Sequence, residues 1–379
     1  RRLRRRLPAS APPSDRGRSN MGASASKRLE AWRRHGGGDF ESVLSSGAYA
    51  LVDARWIVKC ARKGGVLKHR QALGKEAFIS SASLVCPWGS LPVVVLSCPW
   101  LTKDHPDPDG SQLRRVAKAL ESLLTHSPYK RLAVFWDYLS LHQHPDPANG
   151  GMRTEAEDAL FKQGLDCLGT LYSHRYTTVL RLTTFPDGHK AENQPEGSNV
   201  AAYFDRGWCF TESCMASLTK DDKRSLDLGR MRDDTGYDYQ ALKAVCAQGG
   251  CRRPPLLPSQ FAAELESKTF ANGTDDMPLV TRLYEGAFME QIGKATMLCY
   301  SSLGWGDAEA AQLAEVITSG AAPMLEELHL DGNEIGDEGY KALAAAIRKD
   351  GAAPRLSLVS VDSKPAELVA ACEDRGILL

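Results

Sequence analysis

Val93-Val94-Val95-Leu96 is an unbroken run of apolar, mostly β-branched residues. A strand with one face in water alternates apolar and polar positions, so an unbroken run demands cover on both faces. Helical patterns downstream supply that cover. After the loop 104–110, residues Leu113, Val116, Ala117, Leu120, Leu123 and Leu124 recur at helical spacing, with Arg114, Arg115, Lys118 and Glu121 on the other side. This predicts an amphipathic helix with Asp109 as its cap. Residues 132–136 predict a second buried strand, 155–172 a second helix, 177–180 a third strand, 208–218 a third helix and 225–231 a fourth strand. Such alternation predicts an α/β fold: a parallel sheet with flanking helices and right-handed crossovers. In open sheets of this kind ligands sit beyond the carboxyl ends of the strands. Ser97, Trp100, Asp137 and Gln143 each follow closely on a strand's last apolar residue, which makes them candidate site residues.

The chain of 379 residues carries 47 basic and 47 acidic side chains, so no global field draws it onto nucleic acid. Its ten cysteines include no CxxC pair and follow no secretory leader, the usage of a reduced, cytoplasmic protein. No apolar run approaches the roughly 20 residues that a membrane-spanning helix needs. Residues 1–38 read as a disordered basic tail, ending in the flexible run Gly36-Gly37-Gly38. The first methionine, Met21, is followed by Gly22-Ala23-Ser24-Ala25-Ser26, which fits the M-G-x-x-x-[ST] acceptor pattern; a start at Met21 would open Gly22 to N-myristoylation. Lys27, Arg28, Arg33, Arg34 and His35 would then add the electrostatic signal that one acyl chain needs to hold a membrane surface. The alternative is a solvated tail. Residues 39–90 read as a small helical prelude, in which Asp53 caps a helix carrying Trp56, Ile57 and Cys60 that ends at Gly64-Gly65.

Three blocks within residues 91–250 carry a family resemblance. Leu96, Ser97 and Trp100 form the first, Trp136, Asp137 and Gln143 the second, and Arg206, Trp208 and Glu212 the third. In this order they resemble the L-S-Y-x-W-G, W-x-D-x-x-C-I-N-Q and R-x-W-x-x-Q-E blocks of the heterokaryon-incompatibility (HET) domain. That fold is related to the Toll/interleukin receptor (TIR) domain, whose W-C-x-x-E segment is similar to Trp208-Cys209-Phe210-Thr211-Glu212. Ser140 stands where the family has Cys, His142 where it has Asn, Thr211 where it has Gln and Leu101 where it has Gly, and residues 186–199 look like an insertion.

The resemblance implies a signalling or self-recognition protein. It also implies a catalytic glutamate at Glu212, since the matching residue of catalytic TIR domains is required for cleaving NAD at its nicotinamide ribosyl bond. A carboxylate suits the oxocarbenium character of that reaction. Ser97 and Asp137 would bind ribose hydroxyls and Trp100 would stack on a ring, with Gln143, Arg206 and Trp208 completing the substrate site. NAD enters as substrate, and no cofactor or metal is implied. The alternative for Glu212 is a hydrogen bond or ion pair from Arg206 that only locks the helix. His142-x-His144 and Asp107-x-Asp109-Gly110 lack the further ligands that a metal site needs.

Residues 251–295 read as a Pro-rich linker with helices. In 296–379 a repeat appears: Leu298, Tyr300, Trp305, Gly306 and Asp307 align with Leu328, Leu330, Ile335, Gly336 and Asp337. The second copy resembles a leucine-rich repeat of the ribonuclease-inhibitor type, which implies that Asn333 bridges backbone groups at its turn and that the segment binds protein partners. A degraded third copy begins at Leu356-Ser357-Leu358. Two functions remain open on the sequence: a self-associating, NAD-consuming signalling protein, or a non-catalytic adaptor.

Overall fold

The computed structural model describes residues 30, 32–79, 93–126, 131–146, 149–196, 198–247, 252–273 and 275–379. Gly22, Lys27 and Arg28 lie outside them. The fold is mixed α/β, centred on a five-stranded sheet in the order β1 (Val52–Asp53), β3 (Ala133–Phe135), β2 (Val93–Ser97), β4 (Thr178–Arg181), β5 (Ser225–Asp227). β2 runs parallel to β3 and β4, and β4 parallel to β5. β1 joins antiparallel to β3, an edge strand contributed by the prelude that its two residues gave no periodicity to predict.

The helices are α1 (Gly38–Ser46), α2 (Ala54–Arg62), α3 (Ser111–His126), α4 (Asp137–Ser140), α5 (Glu155–Asp166), α6 (Leu168–Ser173), α7 (Gly207–Ser217), α8 (Tyr239–Cys246), α9 (Pro258–Leu265) and α10 (Met277–Gln291). Strand alternation sends Val94, Leu96, Val134 and Leu180 to a core with α2, α3 and α8, and sends Val93, Val95, Phe135 and Val179 to a core with α6, α7 and α10. Both faces are thus covered, as the unbroken Val-Val-Val-Leu run requires.

Four expectations are corrected. Residues 32–38, expected as tail, are helical and packed: Trp32 is buried, its ring 3.9 Å from that of His174 and 5.7 Å from that of Phe40, and helix continues through the three glycines. The buried Asp107, rather than Asp109, is the principal cap of α3: its carboxylate accepts from Gln112 N at 3.0 Å and Leu113 N at 2.7 Å, while Asp109 takes Ser111 N at 3.0 Å. Gly110, at φ +74°, makes the turn that brings Asp107 back to the helix end. The second helix breaks at Cys167, because the Gly164 carbonyl that should bond Leu168 instead accepts from the Tyr49 hydroxyl at 2.6 Å and from Cys167 N at 3.2 Å. The fourth strand is short, ending at Asp227 before a 3-10 turn.

A second, parallel sheet consists of β6 (Met297–Cys299), β7 (Glu327–His329) and β8 (Leu358–Ser360), followed in turn by α11 (Asp307–Thr318), α12 (Asp337–Arg348) and α13 (Ala366–Asp374). Leu298, Leu328 and Val359 stand in register. Asn333 ties the first unit to the second: its Oδ1 accepts from Leu303 N at 3.0 Å and Trp305 N at 3.2 Å, and its Nδ2 donates to Tyr300 O and Leu330 O, both at 2.8 Å. The stretch expected as a linker packs between the two sheets, with Phe261 stacked 5.4 Å from Phe210 and 3.9 Å from Tyr284. Across this junction the Tyr300 hydroxyl donates to Leu218 O at 2.6 Å and the Trp305 indole to Arg252 O at 2.9 Å. The apolar core is therefore continuous from the first sheet into the repeat. Among the described residues no helix is long and apolar enough to cross a membrane.

Candidate functional site

Ser97 is the last residue of β2, fully buried, and alternation aims it at the face covered by α7. Its hydroxyl lies 2.5 Å from Glu212 Oε2 and 2.5 Å from the Tyr203 hydroxyl. Glu212 comes from the middle of α7 and Tyr203 from a 3-10 turn just ahead of that helix. A serine has one proton; once it is given to Glu212, Tyr203 must donate to Ser97, so the chain runs Tyr203 to Ser97 to Glu212. Tyr172, near the end of α6, donates to Leu96 O at 2.7 Å and also bonds Glu212. Its single proton cannot serve both. A neutral Glu212 donates to Tyr172 and leaves the Leu96 bond intact, whereas an ionised Glu212 draws the phenol proton to itself. Burial pushes Glu212 up to about 8; the Ser97 bond opposes this, the charge of Asp137 adds to it, and the Tyr172 bond opposes it. At neutral pH the carboxyl is mostly protonated. Unlike Ser97 it is partly exposed.

Asp137 opens α4 at the carboxyl end of β3. Its carboxylate accepts from the Trp100 indole at 2.8 Å and from Tyr138 N at 2.7 Å. Burial raises its pKa while these two donors hold it down. Gln143 braces the turn: its Nε2 donates to Asp137 O at 3.1 Å and Leu141 O at 3.2 Å, and its backbone exchanges two bonds with the Gln71 side chain. Cys98 and Cys209 flank the same space. Burial drives both thiols well above their ordinary value, so neither is a ready thiolate.

Arg206 does not pair with Glu212, which corrects the alternative drawn from the sequence. Its guanidinium donates to Ala201 O at 2.8 Å, to Trp100 O at 2.7 Å and to Asn199 O, and lies 5.0 Å over the Phe185 ring. Arg206 thereby straps the loop after β4 across the end of β2. The Trp208 indole donates to Asp276 Oδ2 at 2.8 Å and fastens α7 to the start of α10.

The structure thus pairs Ser97 with Glu212 and Trp100 with Asp137, near enough for the Asp137 charge to act on Glu212, while Gln143, Arg206 and Trp208 bond other parts of the chain. Tyr172 and Tyr203 are the members that sequence reasoning missed. Tyr172, at the end of the second expected helix, fits the HET-like pattern together with Phe161 and Leu165 but with no role attached, and Tyr203 sits in a non-periodic loop whose path no pattern foretells. Among the described residues no group of three metal-ligating side chains gathers. Compared with protein-family models, with characterised proteins and with solved structures, the chain matches none.

Proposed function

We propose that the chain is a signalling or self-recognition protein whose central sheet is a HET/TIR-like domain, and that the cluster at the ends of β2 and β3 binds NAD and cleaves its nicotinamide ribosyl bond. The observation that carries this reading is the bond between Ser97 Oγ and Glu212 Oε2 at 2.5 Å, within reach of the Asp137 charge. In the reaction the C–N bond breaks with its electron pair leaving on nicotinamide, water adds to the ribosyl carbon, and one proton is released. Positive charge builds on the ribose as the bond breaks, and an ionised Glu212 facing it stabilises that charge. The same positive charge lowers the pKa of Glu212, so the ligand itself favours the ionised form. Ser97 is fully buried and bonded to Tyr203 and Glu212, so it positions the carboxylate rather than meeting the ribose as expected from the sequence; Asp137 then holds a ribose hydroxyl and Trp100 offers a ring face.

A second reading has its own support, because Gln143, Arg206 and Trp208 are all engaged by the protein. In it the chain is an adaptor that self-associates and binds protein partners through a leucine-rich-repeat-like sheet, residues 296–379. In either case acylation at Gly22 would tether it to the cytoplasmic face of a membrane. The test is nicotinamide release from NAD by concentrated and artificially clustered protein, alongside Glu212→Gln. Release that rises as pH approaches 8 and vanishes in the variant is expected. An absence of release at every pH, even from clustered protein, would sink the enzyme and leave the adaptor.

A further inference from the structure

On the sheet face opposite α7, a groove of about 580 Å³ lies between α2 and α3. Its floor is apolar, made by the buried Val58 and the half-buried Leu124. Arg55, Lys59, Arg62 and Lys63 line its α2 side. Arg55, Lys59 and Arg62 recur at helical steps of four and three, which sets them on one side of α2, and Lys63 follows at the helix end, one turn beyond Lys59. No acidic residue occurs within α2. Like charges a turn apart repel, so such a stripe costs the isolated protein stability. Two of its members are answered within the fold: Arg55 by Asp53 at 2.8 Å and Arg62 by Glu121 at 2.9 Å. Lys59 and Lys63 are exposed and take part in no ion pair among the described residues. The helix dipole welcomes cations in the last turn, but it accounts for neither Arg55 in the first turn nor the apolar floor.

We propose that this groove docks an acidic amphipathic helix of a protein partner, with apolar side chains on Val58 and Leu124 and carboxylates on Lys59 and Lys63. Charge complementarity selects an acidic partner, and the two flanking helices select a helix. The groove is lined from two helices, α2 and α3, and a groove of that kind takes the ridge of a third helix. Nucleic acid is a poor fit, because no aromatic ring lines the groove to stack a base. The proposal is independent of the site at Glu212.

The probe is a labelled synthetic helix with leucines on one face and glutamates on both flanks, titrated into the whole protein by fluorescence anisotropy. Controls are a version with lysine for glutamate, one with serine for leucine, and phosphatidylcholine–phosphatidylserine vesicles. Saturable binding that weakens with salt and falls roughly tenfold in Lys59→Glu/Lys63→Glu is expected, two exposed ion pairs together accounting for about that factor. Both lysines are exposed, so circular dichroism of the variant should match that of the wild type; if it does not, Lys59→Gln/Lys63→Gln takes its place. Equal binding of the serine version, binding indifferent to the lysine substitutions, or association with vesicles alone would overturn the proposal.

Discussion

Glu212→Gln separates the charge of this side chain from its shape. Glutamine keeps an oxygen to accept from Ser97 and an amide to donate to Tyr172, so it imitates the neutral carboxyl at all pH values. In the wild type the folded group titrates at about 8 against an ordinary 4.5. Between those values the folded chain holds a proton that the unfolded chain has lost. Stability therefore falls as pH rises from 4.5, and the fall levels off above 8. At 1.36 kcal/mol per pH unit the whole span amounts to roughly 5 kcal/mol, which partial exposure of the carboxyl reduces to roughly 2–4 kcal/mol. The two proteins should be nearly equal in stability at pH 5, and the variant should be the more stable by that amount at pH 9. Urea unfolding of both at a series of pH values measures the difference at each, and the groups common to both largely cancel. Parallel pH profiles, or a variant less stable than wild type at pH 9, would refute the reasoning.

Asn333→Ala should cost roughly 3 kcal/mol, because two backbone N–H groups and two carbonyls lose their partner at once. Denaturant unfolding measures this, and a loss below about 1 kcal/mol would mean that water replaces the amide readily. Gly207→Ala would place a Cβ 2.0 Å from Phe270 Cζ, an overpacking expected to cost roughly 1–3 kcal/mol. Gly207 carries no positive φ, so contact is the only source of the cost. Adding Phe270→Leu should restore part of the stability, and a double variant no better than the sum of its parts would place the strain elsewhere.

What was legible in the sequence follows from the range over which each signal acts. β2, β3 and β4 announce themselves because a strand covered on both faces has nowhere to place a polar residue. The unit containing Asn333 announces itself because parallel register turns a repeat into a line of leucines. Asp107 escaped because its cap bonds reach five and six residues ahead through the turn at Gly110, beyond the usual capping distance. The break at Cys167 escaped for a similar reason, since the hydroxyl that takes the Gly164 carbonyl belongs to Tyr49, far off in the chain. The site divides in the same way. Ser97 and Asp137 are fixed by where strands end, whereas Tyr203 reaches Ser97 from 106 positions away, and no local pattern encodes such a pairing.

A displaced pKa does not by itself mark a site, and this fold contains its own control. Lys220, at the opposite end of β4, is fully buried, and burial depresses its amine far below the ordinary value, with the charges of Arg224 and Arg252 adding to the effect. Yet its Nζ meets three acceptors, His174 O, Thr177 O at 3.2 Å and Thr177 Oγ1 at 2.6 Å. Three acceptors call for the three hydrogens of an ammonium, so geometry here resists what burial favours. The group is saturated, closed to solvent and complete as it stands, and the structural role of tying the end of α6 to the start of β4 exhausts it. Glu212 differs on each count. It is partly exposed, it bonds Ser97 and Tyr172, and its ionisation redirects the hydrogen bond that Tyr172 gives to Leu96 O. A neutral glutamine would satisfy the same neighbours without the pH-dependent loss of stability. Glu212, partly exposed and pushed up by burial and by the charge of Asp137, is therefore the group on which the proposed NAD cleavage turns, and Glu212→Gln is the variant that tests it.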